Sequence, residues 1–141
     1  MTLGTDAIRE FPHWESPCKS ILLVNGDCLK VLPTLGEGTV DAVVTDIPYG
    51  TTQNKWDVVI PFAPMWELCG LALAANGVFV TTSAQPFTSI LVTSNLKWFR
   101  YACVWDRVNK FTDHLNAKRR PMRRHEDVLV FSPQSSHTYN P

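Results

Sequence analysis

Short apolar runs, spaced by segments with helical periodicity, constrain this chain more than any other feature of its sequence. The first two are Ile21-Leu22-Leu23-Val24-Asn25, closed by Gly26-Asp27, and Asp41-Ala42-Val43-Val44-Thr45-Asp46, ended by Pro48. The third is Val78-Phe79-Val80-Thr81-Thr82. Runs of this length, bounded by turn residues, read as buried strands. Between them, Cys28 to Leu35 forms a short helix compromised at Pro33, and residues 47–61 form a polar loop. Phe62, Met65, Trp66, Cys69 and Leu73 then share one helical face, so a helix is expected over 62–75 with Asn76-Gly77 as its stop. Pro86 suits the first turn of a further helix reaching about Leu96. Phe99 to Trp105 and Asp127 to Phe131 read as two last strands, separated by a polar, basic stretch. This alternation predicts an α/β sheet, mostly parallel, with an antiparallel, hairpin-like C-terminal strand pair.

At 141 residues the chain fits one domain, and a hydrophobic share of 45% with zero net charge excludes disorder. Residues 1–18, mixed and punctuated by Pro12 and Pro17, are expected to be an N-terminal arm, with the domain proper at 19–141. No run approaches the roughly 20 apolar residues that span a bilayer, so no membrane partner is expected. The opening residues carry acids and no continuous apolar stretch, which predicts no signal peptide and a cytoplasmic protein. Cys18, Cys28, Cys69 and Cys103 are scattered without a C-x-x-C pair, so they are expected to be buried free thiols. His13, His114, His125 and His137 have no metal-ligand spacing, and no metal is expected. Trp66, Trp98 and Trp105 are expected to be packing residues; Trp56, in the loop after the second run, is the best candidate for another role.

Neutrality hides an asymmetry. Residues 1–96 hold four bases against nine acids, a net −5, and residues 97–141 hold nine bases against four acids, a net +5. Arg107, Lys110, Lys118, Arg119, Arg120, Arg123 and Arg124 cluster in a loop at about 106–125, a pattern suited to tracking phosphates.

In α/β sheets ligands bind beyond the carboxyl ends of strands. That rule nominates Asp27, the Asp46–Tyr49 turn and the Thr82–Gln85 turn. Asp46 brings an acceptor-only carboxylate, Pro48 biases Ile47 towards an extended backbone with a free carbonyl, and Tyr49 adds a flat ring. Two acceptors beside a stacking surface suit a planar substrate bearing an exocyclic NH2, such as adenine or cytosine.

Thr45-Asp46-Ile47-Pro48-Tyr49-Gly50 resembles the D-P-P-Y motif of DNA amino-methyltransferases, which methylate adenine N6 or cytosine N4. The resemblance extends to Asn25-Gly26-Asp27-Cys28-Leu29, Asn54-Lys55-Trp56-Asp57, Gln85-Pro86-Phe87, Val104-Trp105-Asp106 and Asn116-Ala117-Lys118. It continues through Arg124-His125-Glu126-Asp127, Val130-Phe131 and the closing Thr138-Tyr139-Asn140-Pro141. Roughly residues 20–141 are similar to the N-terminal half of a phage or bacterial enzyme of the permuted class, whose catalytic motif precedes its cofactor motif. The resemblance implies S-adenosylmethionine as methyl donor and DNA as partner, with a target base flipped onto Tyr49. It gives the target amine to Asp46 and the Ile47 carbonyl, and gives the cofactor adenine to Asp27 with Cys28 beside it. Asp27 also suits a plain helix N-cap. Leading with Asp favours adenine N6 over cytosine N4 within the family. Ile47 departs from the usual Pro, which removes one φ restraint.

The family's F-x-G-x-G turn has no counterpart here. Only Gly36-Glu37-Gly38 has the spacing, and it precedes a strand. In the permuted class that motif and two central strands lie further toward the C-terminus, between the strands matching 21–25 and 41–46. A partial Rossmann-like sheet lacking those strands is therefore expected, completed by a second chain or a missing half, by homo-oligomerisation, or by rearrangement. The alternative function is a shortened, inactive relative that acts as a DNA-binding or methyltransferase-partner module, with an anti-restriction role.

Overall fold

The computed structural model describes residues 6–140. Residues 1–5 of the expected arm and Pro141 of the closing segment lie outside the described residues. In chain order the elements are β1 (His13–Glu15), β2 (Leu22–Val24), α1 (Cys28–Val31), β3 (Val40–Thr45), α2 (Phe62–Ala72), β4 (Leu73–Ser83), α3 (Phe87–Ser94), β5 (Phe99–Asp106) and β6 (His125–Phe131). All five expected strands form. Their arrangement is a four-stranded sheet in the order β3-β4-β6-β5 and a separate pair β1-β2.

β3 and β4 pair in parallel, whereas β6 is antiparallel to both β4 and β5. Three of the four strands thus point the same way, and the C-terminal pair is antiparallel as expected. Because β6 lies between β4 and β5, however, two of the three ladders are antiparallel. β2 does not join this sheet. With no strand to bridge it to β3, it satisfies its backbone against β1, matching Trp14 to Leu23 inside the stretch expected to be an arm. The outer edge of β3 stays unpaired among the described residues, and Val44 on it is 77% exposed.

Helices α2 and α3 cover one face of the sheet. Met65, Trp66, Cys69, Phe87 and Leu91 pack there against Phe79, Leu129 and Phe131. Trp66 lies against Phe79 and Phe131, with ring centroids 5.0 and 4.9 Å away, and its Nε1 donates to Ser94 Oγ at 2.9 Å. α2 ends at Ala72, earlier than expected, because Leu73 turns extended and pairs with Val40; Asn76-Gly77 therefore lies inside β4 and stops no helix. α1 is a single turn continued by a 3-10 turn over Leu32–Thr34, where Pro33 sits.

The opposite face carries the register row Val44–Val80–Val130 with neither helix over it. Two expectations are corrected, and the open face accounts for Cys103 and Trp105, whose β6 partners Val128 and Glu126 share the Val130 side. Only Cys69 is buried, whereas Cys18, Cys28 and Cys103 are exposed free thiols. Trp66 is buried and Trp98 packs onto the core, but Trp105 is exposed beside Arg107, whose guanidinium lies 5.7 Å from its ring centroid. The accessible surface is 9727 Å2, where a compact 15.9 kDa monomer presents roughly 7,400 Å2. No helix is long and apolar enough to cross a membrane, and no group of three or more metal-binding side chains occurs among the described residues.

Candidate active site

Parallel pairing puts the carboxyl ends of β3 and β4 side by side, and this places the Asp46–Tyr49 turn against Thr82. Thr82 Oγ1 donates to Asp46 Oδ1 in a short hydrogen bond, and the Tyr49 hydroxyl lies 2.9 Å from Asp46 Oδ1 and 3.0 Å from Thr82 Oγ1. Oδ1 is thereby held by hydroxyl groups. Asp46 Oδ2 and the Ile47 carbonyl have no hydrogen-bond partner among the described residues. Ile47 itself is 7% exposed and packs in the core, so side-chain burial anchors the turn where the first proline of the D-P-P-Y motif would stiffen it. The Tyr49 ring is stacked on Phe87, with centroids 5.0 Å apart and planes at 21°. Burial, then the neighbouring Asp46 carboxylate, raises the Tyr49 phenol well above its ordinary value, so it remains a hydroxyl donor at neutral pH.

The loop leaving this turn closes on Asp57. Its Oδ1 accepts from Gly50 N at 2.8 Å, and its Oδ2 accepts from Thr51 N at 2.9 Å and Thr52 N at 2.6 Å. Gly50 has φ of +66°, a left-handed conformation that glycine adopts without a Cβ penalty. Hydrogen bonding from Thr52, followed by the backbone N–H groups, holds the Asp57 carboxyl below the usual carboxylate range. Asp46, Ile47, Tyr49, Thr52, Trp56 and Asp57 line a cleft of about 240 Å3, and the Trp56 indole, 71% exposed, stands on its rim.

The same topology delivers the basic loop to this end of the sheet, since β5 finishes and β6 begins there. Four of its seven basic residues are already engaged. Arg107 pairs with Glu126, Arg124 with both oxygens of Asp106 at 2.8 Å, and Arg120 with Asp113 at 2.5 Å. Arg123 donates to the Gln85 carbonyl at 3.0 Å. The Lys110, Lys118 and Arg119 side chains make no ion pair or hydrogen bond among the described residues. Asp27 is an N-cap, accepting from Leu29 N at 3.0 Å, and neither it nor Cys28 lines the cleft at Asp46. The three nominated strand ends therefore become two, because β2 has left the main sheet.

Solved structures share this architecture. The PvuII DNA methyltransferase, cytosine-N4-specific, matches 81% of this chain over 49% of its own, at 16% identity and a TM-score of 0.63. TTHA0409 of Thermus thermophilus, described as a DNA modification methylase, matches 82% of this chain over 54% of its own, at 16% identity and a TM-score of 0.58. The M1.HpyAVI–SAM complex matches 75% over 51%, at 18% identity and a TM-score of 0.52. The fold is that of DNA methyltransferases. The chain spans about half the length of these structures. No family model matches the sequence. No curated protein matches it either.

On this methyltransferase fold two residues gain roles that sequence reasoning does not give them. Thr82 is nominated by sequence only as part of a strand-end turn, and its bond to Asp46 depends on parallel pairing across 36 residues. Asp57 closes the Asn54-Lys55-Trp56-Asp57 segment, and the only local signal of its role is an acid shortly after a Gly-Thr-Thr turn with donors to satisfy.

Proposed function

We propose that this chain is the catalytic-motif half of a DNA amino-methyltransferase, acting on the exocyclic amine of a flipped base, adenine N6 in preference to cytosine N4. The observation that carries this reading is the pair of unpartnered acceptors, Asp46 Oδ2 and the Ile47 carbonyl, at a cleft walled by Tyr49. Two acceptors take the two N–H groups of a target amine, which turns the nitrogen lone pair outward and meets its developing positive charge with a carboxylate. Thr82 and the Tyr49 hydroxyl orient that carboxylate. Tyr49, backed by Phe87, offers the base its ring. S-adenosylmethionine, when bound, would supply the methyl group: its C–S bond would break to leave the neutral thioether as the N–C bond forms, and the amine would release one proton.

The cofactor side fits this chain less well. Asp27 and Cys28 do not line the cleft, and Gly36-Glu37-Gly38 lies ahead of β3 at the far end of that strand. We infer that further polypeptide pairs with the free edge of β3 and covers the Val44–Val80 face. S-adenosylmethionine is therefore expected to bind this chain alone only weakly, with Kd above about 100 μM by titration calorimetry. Micromolar binding by a monomer would refute the inference.

Chemistry is best tested by single turnover, with the chain in excess over duplex DNA and millimolar labelled S-adenosylmethionine, so that weak binding does not hide the transfer. Label recovered as N6-methyladenine is the expected product. DNA that is bound but never methylated would favour the binding-module reading.

A further inference from the structure

The tip of the β5–β6 hairpin is fastened from within. An isolated bridge between Thr112 and Arg123 closes it, and inside that bridge the Asp113 carboxylate accepts from Asn116 Nδ2 at 2.6 Å and pairs with Arg120. Asn116 O in turn accepts from the backbone N–H groups of Arg119 and Arg120 at 2.8 and 3.0 Å. Of the cations at the tip, Arg120 is thus spent on its shape, and Lys118 and Arg119 are not. The side chain this scaffold presents is apolar: Leu115, on the 3-10 turn His114–Asn116, is 88% exposed. A lone surface leucine is ordinary. Leu115 differs in its neighbourhood, because it shares the lining of a second cleft of about 390 Å3 with Thr51 and Thr52. Those two threonines also line the cleft at Asp46 and Tyr49. One wall is therefore shared between the candidate base pocket and the cleft that holds Leu115. Lys118 and Arg119, with free side chains, follow on the same tip.

We propose that Leu115 is a wedge for duplex DNA: it enters the base stack at the position vacated when a nucleotide swings into the Asp46–Tyr49 cleft, while Lys118 and Arg119 hold the adjacent phosphates. The inference rests on the proposed function above and adds to it the element that opens the duplex. Apolar wedges of this kind compensate lost stacking, and they gain most where stacking is already broken. A tip tied by its own hydrogen bonds and ion pair suits the task, since less ordering is then left to be done on binding.

The test uses the full chain and fluorescence anisotropy with three labelled duplexes of one sequence: intact, with a central mismatch, and with a central abasic site. Wild type is expected to bind the two defective duplexes about fivefold or more tighter than the intact one. Leu115→Ala is expected to bring that ratio below about twofold while leaving intact-duplex affinity nearly unchanged, and Leu115→Phe to preserve it. The exposed position makes both variants safe for folding. Lys118→Ala with Arg119→Ala should weaken all three duplexes alike and flatten the salt dependence, leaving the ratio intact. A ratio that survives Leu115→Ala, or a wild type that binds all three duplexes equally, overturns the wedge while leaving the DNA reading in place. A wild type without salt-sensitive binding to any duplex overturns the DNA reading and the wedge with it.

Discussion

Asp46→Ala is expected to slow single-turnover methyl transfer by about a thousandfold while duplex affinity stays within about threefold of wild type. The split follows from where the carboxylate sits. Asp46 is exposed at the end of β3, outside the core, so its removal does not undermine folding. It is also remote in role from the cations that would hold phosphates. What it offers is one oxygen tied by Thr82 and Tyr49 and a second that is open, so its charge is aimed before any substrate arrives. Asp46→Asn separates the parts of that contribution. Asparagine keeps the size and one acceptor but not the charge, and its rate should fall nearly as far if the charge developing on the target nitrogen is what matters. Thr82→Val should cost roughly tenfold, because Tyr49 remains to orient the carboxylate. A rate for Asp46→Ala above one tenth of wild type would sink the assignment. So would a loss of DNA affinity matching the loss of rate, since that pattern marks uniform binding.

How much of this is legible in the sequence depends on the range of the interactions involved. The apolar runs at 21–25, 41–46, 78–82, 99–105 and 127–131 announce their strands because burial on a sheet writes itself into consecutive residues. The Asp46–Tyr49 turn is legible for a related reason: the acceptor, the conformational restraint and the ring are neighbours in sequence. Pairing partners are written nowhere locally. β2, expected beside the parallel strands, instead pairs with His13–Glu15, three residues with no apolar run of their own. The end of α2 differs from expectation for the same cause, since a strand register across Val40 and Leu73 overrides the Asn76-Gly77 stop. In the basic loop, composition reports charge but not its partners. Asp106, Asp113 and Glu126 absorb three arginines, and only the folded geometry distinguishes those from Lys110, Lys118 and Arg119. A leucine among seven cations carries no local signal, and its exposure is visible only in three dimensions.

Asp57→Ala is expected to lower the unfolding midpoint at pH 7 by roughly 5–10 °C and to abolish methyl transfer with little change in duplex affinity. The carboxylate is 7% exposed and is the acceptor for three consecutive N–H groups, at Gly50, Thr51 and Thr52. Alanine leaves the three N–H groups, in a loop whose Gly50 is already left-handed, to exchange a fixed carboxylate for water. Thr51 and Thr52 then lose their places on the wall shared by the two clefts, so the chemistry suffers along with stability. Asp57→Asn should fall between, because one amide oxygen still accepts while its NH2 faces a donor. The pH dependence provides an independent check. The folded carboxyl lies below its ordinary value of about 3.9, so its stabilisation is complete above that pH and disappears as pH falls through the folded value. The difference in midpoint between wild type and Asp57→Ala should therefore be flat from about pH 7 to pH 5 and should shrink below about pH 4. Asp106 and Asp113 are lowered too, by hydrogen bonds from Arg124 and Arg120, so both proteins lose stability in acid. Because those two carboxylates are present in both, they cancel in the difference, and the shrinking gap reports Asp57 alone. A gap that widens in acid would mean the carboxyl is protonated more easily in the fold than outside it, which would contradict the three-donor site.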